Sequence, residues 1–421
     1  MILKKFLCHL GCLLILLVIF SFMLPITTLQ NNTITNTNFV KAYEDEFRGI
    51  WFSYIDWEKF HSGKTQEEWE AKLKEEIIPN LIKFKINNVI VHATAFADSF
   101  YPSSLYPASN IITRNSKKSL TYDPFEVMLN MLNKKGIKVH AWLNPLRAMT
   151  DSEFKKISNK YQTKIWYNSE NKHRFYVKDS LKRYWLNPAN EKVRDFLKKV
   201  VEEILKKYKN IEGIHIDDYF YPNGLPSESS KKGTVLMDDV QYYNEIKPGI
   251  SLADWRRKSV TAFIKDFYNV CVKHKKIFGI SPQGNFNNNL NDMFFNQQEI
   301  VAKGYAHYLM PQIYYGFKNK TLPFKETCNE WNKLTSKNKN IKLYIGLAAY
   351  KLGLKGDGFA GNKGKSEWLE NDDILKRQVE TIRNIKNCGG FCLFSYNSLF
   401  SNSDHVEREK SNYLKLFKNK K

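Results

Sequence analysis

Eight short apolar segments, separated by stretches with helical spacing, restrict the fold of this 421-residue chain more than any other feature. The strand candidates are Arg48–Asp56, Asn88–Ala95, Lys138–Asn144, Gly213–Asp217, Phe278–Gln283, Ala306–Tyr314, Leu343–Ala349 and Gly390–Tyr396. Between them, Trp69–Lys83 places Trp69, Leu73, Ile77 and Leu81 on one helical face. Phe125–Lys135, Glu191–Lys207, Leu252–Lys273 and Asp372–Asn387 read the same way. Asn190 offers an N-cap to the helix that begins at Glu191, and Gly136 and Gly389 sit where helix hands over to strand. Alternation of this kind predicts parallel strands buried under helices. The expected fold is α/β, a (β/α)8 (TIM) barrel with extended βα loops. An open doubly wound sheet is the rival, but it usually carries a Gly-rich phosphate turn after its first strand, where this chain has Asp56-Trp57. The surplus over a minimal barrel falls in Met149–Lys182 and Asn223–Ile250, both after strands, and Lys355–Lys365 reads as a mobile Gly/Lys-rich loop.

The first 42 residues differ in character. Lys4 and Lys5 precede an apolar run from Phe6 to about Ile26, a polar tract follows, and Val40-Lys41-Ala42 is a candidate cleavage site. This predicts a signal peptide, or an uncleaved membrane anchor with a polar linker, ahead of one barrel domain over 43–421. Either version puts the protein outside the cytoplasm, secreted or on the cell surface. Net charge is +22, and the three lysines of the first 42 residues leave +19 on the remainder. A basic exported protein is drawn to anionic cell-wall polymers, and export argues against nucleic acid. Membrane contact is expected only through an uncleaved N-terminal segment. The charge forms no compact block, so a general lysine-rich composition accounts for it equally well. Cys271, Cys328, Cys388 and Cys392 remain after the leader and read as buried thiols. Cys388 and Cys392 would lie roughly 13 Å apart in one strand, too far for a disulfide.

Barrel chemistry gathers at the C-terminal strand ends. There the fourth strand offers Gly213-Ile-His-Ile-Asp-Asp-Tyr-Phe-Tyr-Pro222, two carboxylates among aromatic rings. Alternation puts His215, Asp217 and Tyr219 on the lumen face. Asp217 is the candidate catalytic carboxylate, with Asp218 as partner acid or as a loop staple. Neighbouring carboxylates push one pKa up, which keeps one of them protonated as an acid. Candidate substrate contacts are Asp98, Trp142, Asn144, Arg147, His215, Tyr219, Gln312, Tyr314 and Tyr350: rings for sugar faces, amides for hydroxyls, Arg147 for an acidic substituent. Each aromatic could equally be core or wall. His92, His140, His215 and His307 lie in strands, but no HxH or HExxH motif accompanies them, so neither metal nor cofactor is expected. Glycoside hydrolysis needs an acid and a second carboxylate, or an N-acetyl sugar that supplies its own nucleophile beside a polarising group such as Tyr219.

Taken together, Phe47-Arg48-Gly49-Ile50-Trp51, Ala97-Asp98-Ser99-Phe100-Tyr101-Pro102-Ser103, His140-Ala141-Trp142-Leu143-Asn144-Pro145, Trp185-Leu186-Asn187-Pro188-Ala189-Asn190, Gly213 to Pro222, Trp255-Arg256-Arg257, Gly279-Ile280-Ser281-Pro282, Met310-Pro311-Gln312-Ile313-Tyr314 and Tyr344 to Tyr350 resemble the glycoside-hydrolase-like family 10 proteins. The resemblance implies a (β/α)8 barrel acting on glycans, bacterial peptidoglycan being the substrate class among relatives, and maps that family's paired aspartates onto Asp217 and Asp218. Two departures stand out. His92-Ala93-Thr94-Ala95 replaces a Gln-Val-Arg-Pro run, and Gln283-Gly284-Asn285-Phe286-Asn287-Asn288 lacks the Trp and Arg usual after the fifth strand. The expected function is an exported glycoside hydrolase of cell-wall glycan with a polysaccharide substrate. The alternatives are a glycan-binding barrel without turnover and a hydrolase of α-glucan or capsular polysaccharide.

Overall fold

Eleven strands form in chain order: β1 (Phe47–Phe52), β2 (Asn88–Thr94), β3 (Lys138–Leu143), β4 (Arg147–Thr150), β5 (Tyr176–Lys178), β6 (Arg183–Leu186), β7 (Gly213–Ile216), β8 (Ile277–Ile280), β9 (Tyr308–Leu309), β10 (Lys342–Leu347) and β11 (Cys388–Leu393). The structure is a computed structural model, and it describes residues 46–114, 119–179, 181–223, 225 and 238–417. The leader or anchor expected over residues 1–42 lies outside these residues. Residues Phe47–Lys421 make up one compact unit.

All eight candidate segments join one closed parallel barrel in the order β1-β11-β10-β9-β8-β7-β3-β2. Alternation sorts their side chains. Ile50, Phe52, Val89, Val91, Val139, Leu143, Ile214, Ile216, Phe278, Ile280, Ile345 and Leu393 pack outward against the helices in one continuous core. The lumen is filled instead by rings and imidazoles. Phe47 stacks on Tyr344 at 4.4 Å, and Phe47, His140 and Tyr308 meet edge to face or tilted. Gly279 makes this possible: a Cβ there would fall inside the Tyr308 ring.

The helices expected at Glu191–Lys207 and Leu252–Lys273 occupy those residues, and Asn190 caps the first by accepting from Lys192 N–H. Several expectations change. The first strand stops at Phe52, because Ser53 caps a helix over Tyr54–Phe60 in which Asp56 completes a capping box. Asp56 is therefore no strand-end acid. It accepts from Asn397 N–H at 2.6 Å, and burial raises its pKa to about 6. The sixth strand shrinks to Tyr308–Leu309, since Pro311 has no N–H for the ladder; Gln312 regains isolated bridges to Gln283 and Gly346. The long loop after β3 is not structureless: β4, β6 and β5 form a small antiparallel sheet there. The segment Lys355–Lys365, read as mobile, is fastened at several points described below. Cys271, Cys328 and Cys392 are buried free thiols as expected, but Cys388, at the open start of β11, is only half-buried.

Candidate active site

The site is built where β7 ends. The strand closes at Ile216, whose carbonyl accepts from Ser281 N–H at 2.8 Å, and Asp217 is the next residue into the barrel mouth. Phe220 N–H turns back onto Asp218 C=O at 2.9 Å, a tight bend that separates the aromatic run. Only Tyr219 remains beside the carboxyls. Phe220 stacks on Phe295 at 4.9 Å and Tyr221 packs edge-on to Phe294, both in the core.

The two aspartates have different surroundings. Asp217 is 5 % exposed, and its Oδ1 has no hydrogen-bond partner. Burial, then the neighbouring Asp218 charge, push its pKa well above the usual carboxylate range; Arg147 opposes them. The Trp142 indole lies close enough to favour the anion, yet its N–H makes no well-formed hydrogen bond. Asp218 keeps some solvent contact and uses both oxygens as acceptors. Gln312 Nε2 donates to Oδ1 at 2.8 Å and Gln283 Nε2 to Oδ2 at 3.0 Å. Burial raises the Asp218 pKa as well, but these two amides hold it back. Donors on both oxygens favour the ionised form. The two environments thus favour the proton on Asp217 over Asp218.

Arg147 forms the adjacent wall. The small sheet pairs it directly with Trp185, so residues 38 apart in sequence stand side by side. Its guanidinium lies 4.2 Å from the Tyr219 ring centroid, 4.6 Å from Phe96 and 5.9 Å from Trp185. Arg183 lies 4.5 Å from the Phe96 centroid. Arginine stacked on rings keeps its charge in a partly dry setting. Although the family's arginine is absent from β2, Arg147 of β4 still brings a cation to the pair.

On the β2–β3 side, His92 and Trp142 stack with centroids 3.3 Å apart. Tyr54 N–H donates to His92 Nδ1 at 2.9 Å, which places the ring proton on Nε2. His92 Nε2, Trp142 Nε1, both amide atoms of Asn144 and Arg147 Nε are buried without a protein partner, as is Asp217 Oδ1. Such atoms are rare in a finished core, and their convergence sets this face of the barrel mouth apart from the satisfied lumen below it. Opposite, Tyr314 lies 5.6 Å from Tyr350 and 5.9 Å from Phe394, an aromatic bank whose first member senses the charge of both aspartates.

Asp217, Asp218, Trp142, Asn144, Arg147, Tyr219, Gln312, Tyr314 and Tyr350 therefore come together. Trp142 corrects one expectation: it is buried, with His92 stacked on one face, and is no open platform. Two candidates are placed elsewhere. Asp98 staples its own loop, accepting from Ala95 and Phe96 N–H. His215 lies below the site with both nitrogens engaged. Trp51 Nε1–H donates to its Nε2 at 3.3 Å, so its Nδ1–H donates to Tyr308 Oη at 2.9 Å. Tyr308 Oη lies a long 3.5 Å from His140 Nδ1, and His140 Nε2 lies 3.2 Å from Asn88 Oδ1. Burial holds both histidines neutral, His140 down to about 3. Among the described residues no three His, Cys, Asp or Glu side chains gather as a metal-binding set. Gln283, His92, Phe96, Trp185 and Phe394 were not among the candidates. Gln283 carried a signal in its place at a strand end, His92 as a strand histidine and Trp185 as the head of a family motif; Phe96 and Phe394 carried none.

Comparison with known proteins agrees with this architecture. Glycosyl hydrolase YngK of Bacillus subtilis is 28% identical over 380 residues, covering 85% of this chain and 69% of its own length. Glycosyl hydrolase DigH of Escherichia coli K12 is 26% identical over 381 residues, 82% of each chain. Among solved structures, the glycoside hydrolase domain of PgaB (BpsB) from Bordetella bronchiseptica superposes with a TM-score of 0.53 at 12% identity, covering 88% of this chain and 99% of that domain. The catalytic domain of β-amylase from Paenibacillus polymyxa gives 0.52 at 11%, covering 89% and 99%. These two share the barrel fold. The family model for glycosyl hydrolase-like 10 proteins matches residues 46–358, from the first strand to the loop after β10, and the chain belongs to that family.

Proposed function

We propose that this chain is an exported glycosidase that cleaves glycosidic bonds in bacterial cell-wall glycan, with Asp217 as proton donor and Asp218 as its ionised partner. The observation that carries the reading is the pair itself: adjacent carboxyls at the mouth of a closed barrel, one dry and lacking a bond on Oδ1, the other held by two amides. A buried neutral acid can protonate the glycosidic oxygen as the bond breaks. Positive charge then grows on the sugar ring, and an ionised carboxylate beside it lowers that barrier. Asp218 fills this role; the leaving sugar departs with the Asp217 proton, and water then bonds to the anomeric carbon and returns a proton to the Asp217 carboxylate. An N-acetyl sugar would add its own carbonyl oxygen as nucleophile, with the Tyr219 hydroxyl and the unpartnered groups of Asn144 and Trp142 available to orient the acetamido group. The bank of Tyr314, Tyr350 and Phe394 suits sugar faces, and Arg147 suits a lactyl or peptide carboxylate. Names of relatives as glycosyl hydrolases support the reaction class. The basic, apolar N-terminal segment supports export to the wall.

Purified protein incubated with peptide-stripped wall glycan, with soluble α-glucans in parallel, tests this by the number of new reducing ends. Ends released from wall glycan alone support the reading; ends released from glucan alone transfer it to a storage or capsular polymer. A second reading, a glycan-binding barrel without turnover, is favoured by the family cations absent from the second barrel strand and after the fifth. It requires saturable glycan binding that survives loss of both aspartates, with no new ends from any polymer.

A further inference from the structure

The loop after β10 presents a surface that the catalytic pair does not use. Phe359 stands 94% exposed at its tip, the most exposed large apolar side chain among the described residues. Normally such a ring on a loose loop would fold back. Here the loop is fastened beneath it. Asp357, buried, takes Lys351 Nζ at 2.7 Å and Phe359 N–H at 3.3 Å, while its own N–H donates to Lys365 C=O at 2.8 Å. Lys320 N–H donates to Ala360 C=O at 2.9 Å, which ties the loop to the segment after β9. Glu367, also buried, accepts from Phe317 and Lys318 N–H on that same segment.

Charge on the surface is one-sided. Lys318, Lys320, Lys355, Lys363 and Lys365 are all exposed, and none makes an ion pair among the described residues. Asp357 and Glu367 are turned inward and already bonded; Glu370, at the end of the short helix that Glu367 opens, is exposed and accepts from the Ser366 hydroxyl. Exposed lysines without acidic partners leave a positive field around the Phe359 ring. Both segments follow the C-terminal ends of barrel strands β9 and β10, the barrel end at which the catalytic pair lies. Tyr350 N–H donates to Phe394 C=O, the Tyr350 hydroxyl senses Asp357, and its ring meets Tyr314, which in turn senses Asp218.

We propose that Phe359 and the lysines at 318, 320, 355, 363 and 365 form a distal subsite that holds a carboxylate-bearing glycan strand as it leaves the catalytic cleft along Tyr314 and Tyr350. The ring takes a sugar face and the ammonium groups take the carboxylates. This deepens the glycosidase reading and rests on it for the direction of the strand. A lone ring next to a cleft lined with further rings favours a polysaccharide over a bilayer, which would demand a larger apolar face.

The test uses the full chain carrying Phe359→Ser with Lys355→Gln, Lys363→Gln and Lys365→Gln, residues outside the catalytic machinery, after its thermal unfolding has been matched to the parent. Binding is measured in an Asp217→Asn background, so it reads the patch whether or not the parent turns over. Long peptide-stripped strands retaining their carboxylates should bind about tenfold more weakly to the patch variant at low salt, and the difference should shrink as salt is raised toward about 0.5 M. Short oligosaccharides that fill only the cleft should bind both alike. If the parent turns over, KM for long strands should rise by the same factor with kcat unchanged. Equal binding of long strands by both proteins overturns the proposal. So does a loss confined to polyglycerol phosphate or to phosphatidylglycerol vesicles. A parent that produces no new reducing ends defeats the hydrolase reading alone.

Discussion

Replacing Gln312 with Met tests the division of labour between the two aspartates. The substitution keeps side-chain length and removes one of the two amide donors on Asp218, the 2.8 Å bond to Oδ1. A hydrogen bond to a charged group contributes about 1.5–3 kcal/mol, and about 1.4 kcal/mol corresponds to one pKa unit. With Gln283 still donating to Oδ2, the low end of that range applies, so the Asp218 pKa should rise by about one unit. The donors stabilise the anion; without one, Asp218 keeps its proton to higher pH. The acid limb of kcat/KM should therefore move up by about one pH unit. The alkaline limb, which records loss of the Asp217 proton while Asp218 is already ionised, should stay in place. Reducing ends counted on stripped glycan from about pH 3 to about pH 9 give both limbs. Gln312 Nε2 also serves Ser281 C=O at 3.0 Å, so a stability loss of about 1 kcal/mol is expected and is read separately by urea unfolding. An alkaline limb that moves while the acid limb stays would mean the roles are reversed. If neither moves, the amides do not tune the pair.

Arg147→Met removes the positive charge that favours both anions, so both limbs should shift to higher pH, and kcat/KM should drop by about tenfold or more; unshifted limbs would reduce Arg147 to packing. His215→Phe should cost about 2–4 kcal/mol of stability in urea unfolding, because Trp51 Nε1–H loses its buried acceptor and Tyr308 its donor, while the pH profile is unmoved. A changed profile at unchanged stability would return His215 to the site. Glu409 gives a stability prediction. It is fully buried at the start of the Ile374–Arg383 helix, accepts from Ile374 and Leu375 N–H, and faces Asp372 and Asp373; burial raises its pKa to about 7. A folded pKa above the unfolded one means the unfolded state gives up its proton first as pH rises. Stability should thus fall between about pH 4.5 and about 7, by an order of 3 kcal/mol. Glu409→Gln should flatten that slope in unfolding curves taken across the window, and a slope that persists would place its origin elsewhere.

The barrel was legible because it is written in repeated local signals. Strand candidates such as Asn88–Ala95 and Gly213–Asp217 are short, largely apolar and bounded, and helices such as Glu191–Lys207 carry a 3.6-residue period and a side-chain cap. The small sheet was not legible. Its strands have three or four residues, too few for alternation to register, yet it sets Arg147 against Trp185. Asp98 and His215 illustrate a second limit. A strand-end acid and a lumen histidine have the composition of a site whether they meet ligand or neighbours, and only partners such as Phe96 N–H and Trp51 Nε1–H distinguish the cases. Phe394 was hidden for the opposite reason: an aromatic in an apolar strand reads as core until Tyr314 is found against it.

The most direct measurement is the turnover of Asp217→Asn on peptide-stripped glycan alongside its binding of the same strands. Asparagine keeps the shape and removes the transferable proton. The expected result is a loss of kcat by about a thousandfold with strand affinity near that of the parent. Turnover equal to the parent would show that the acid lies elsewhere and that the dry carboxyl at the end of β7 is not the proton donor.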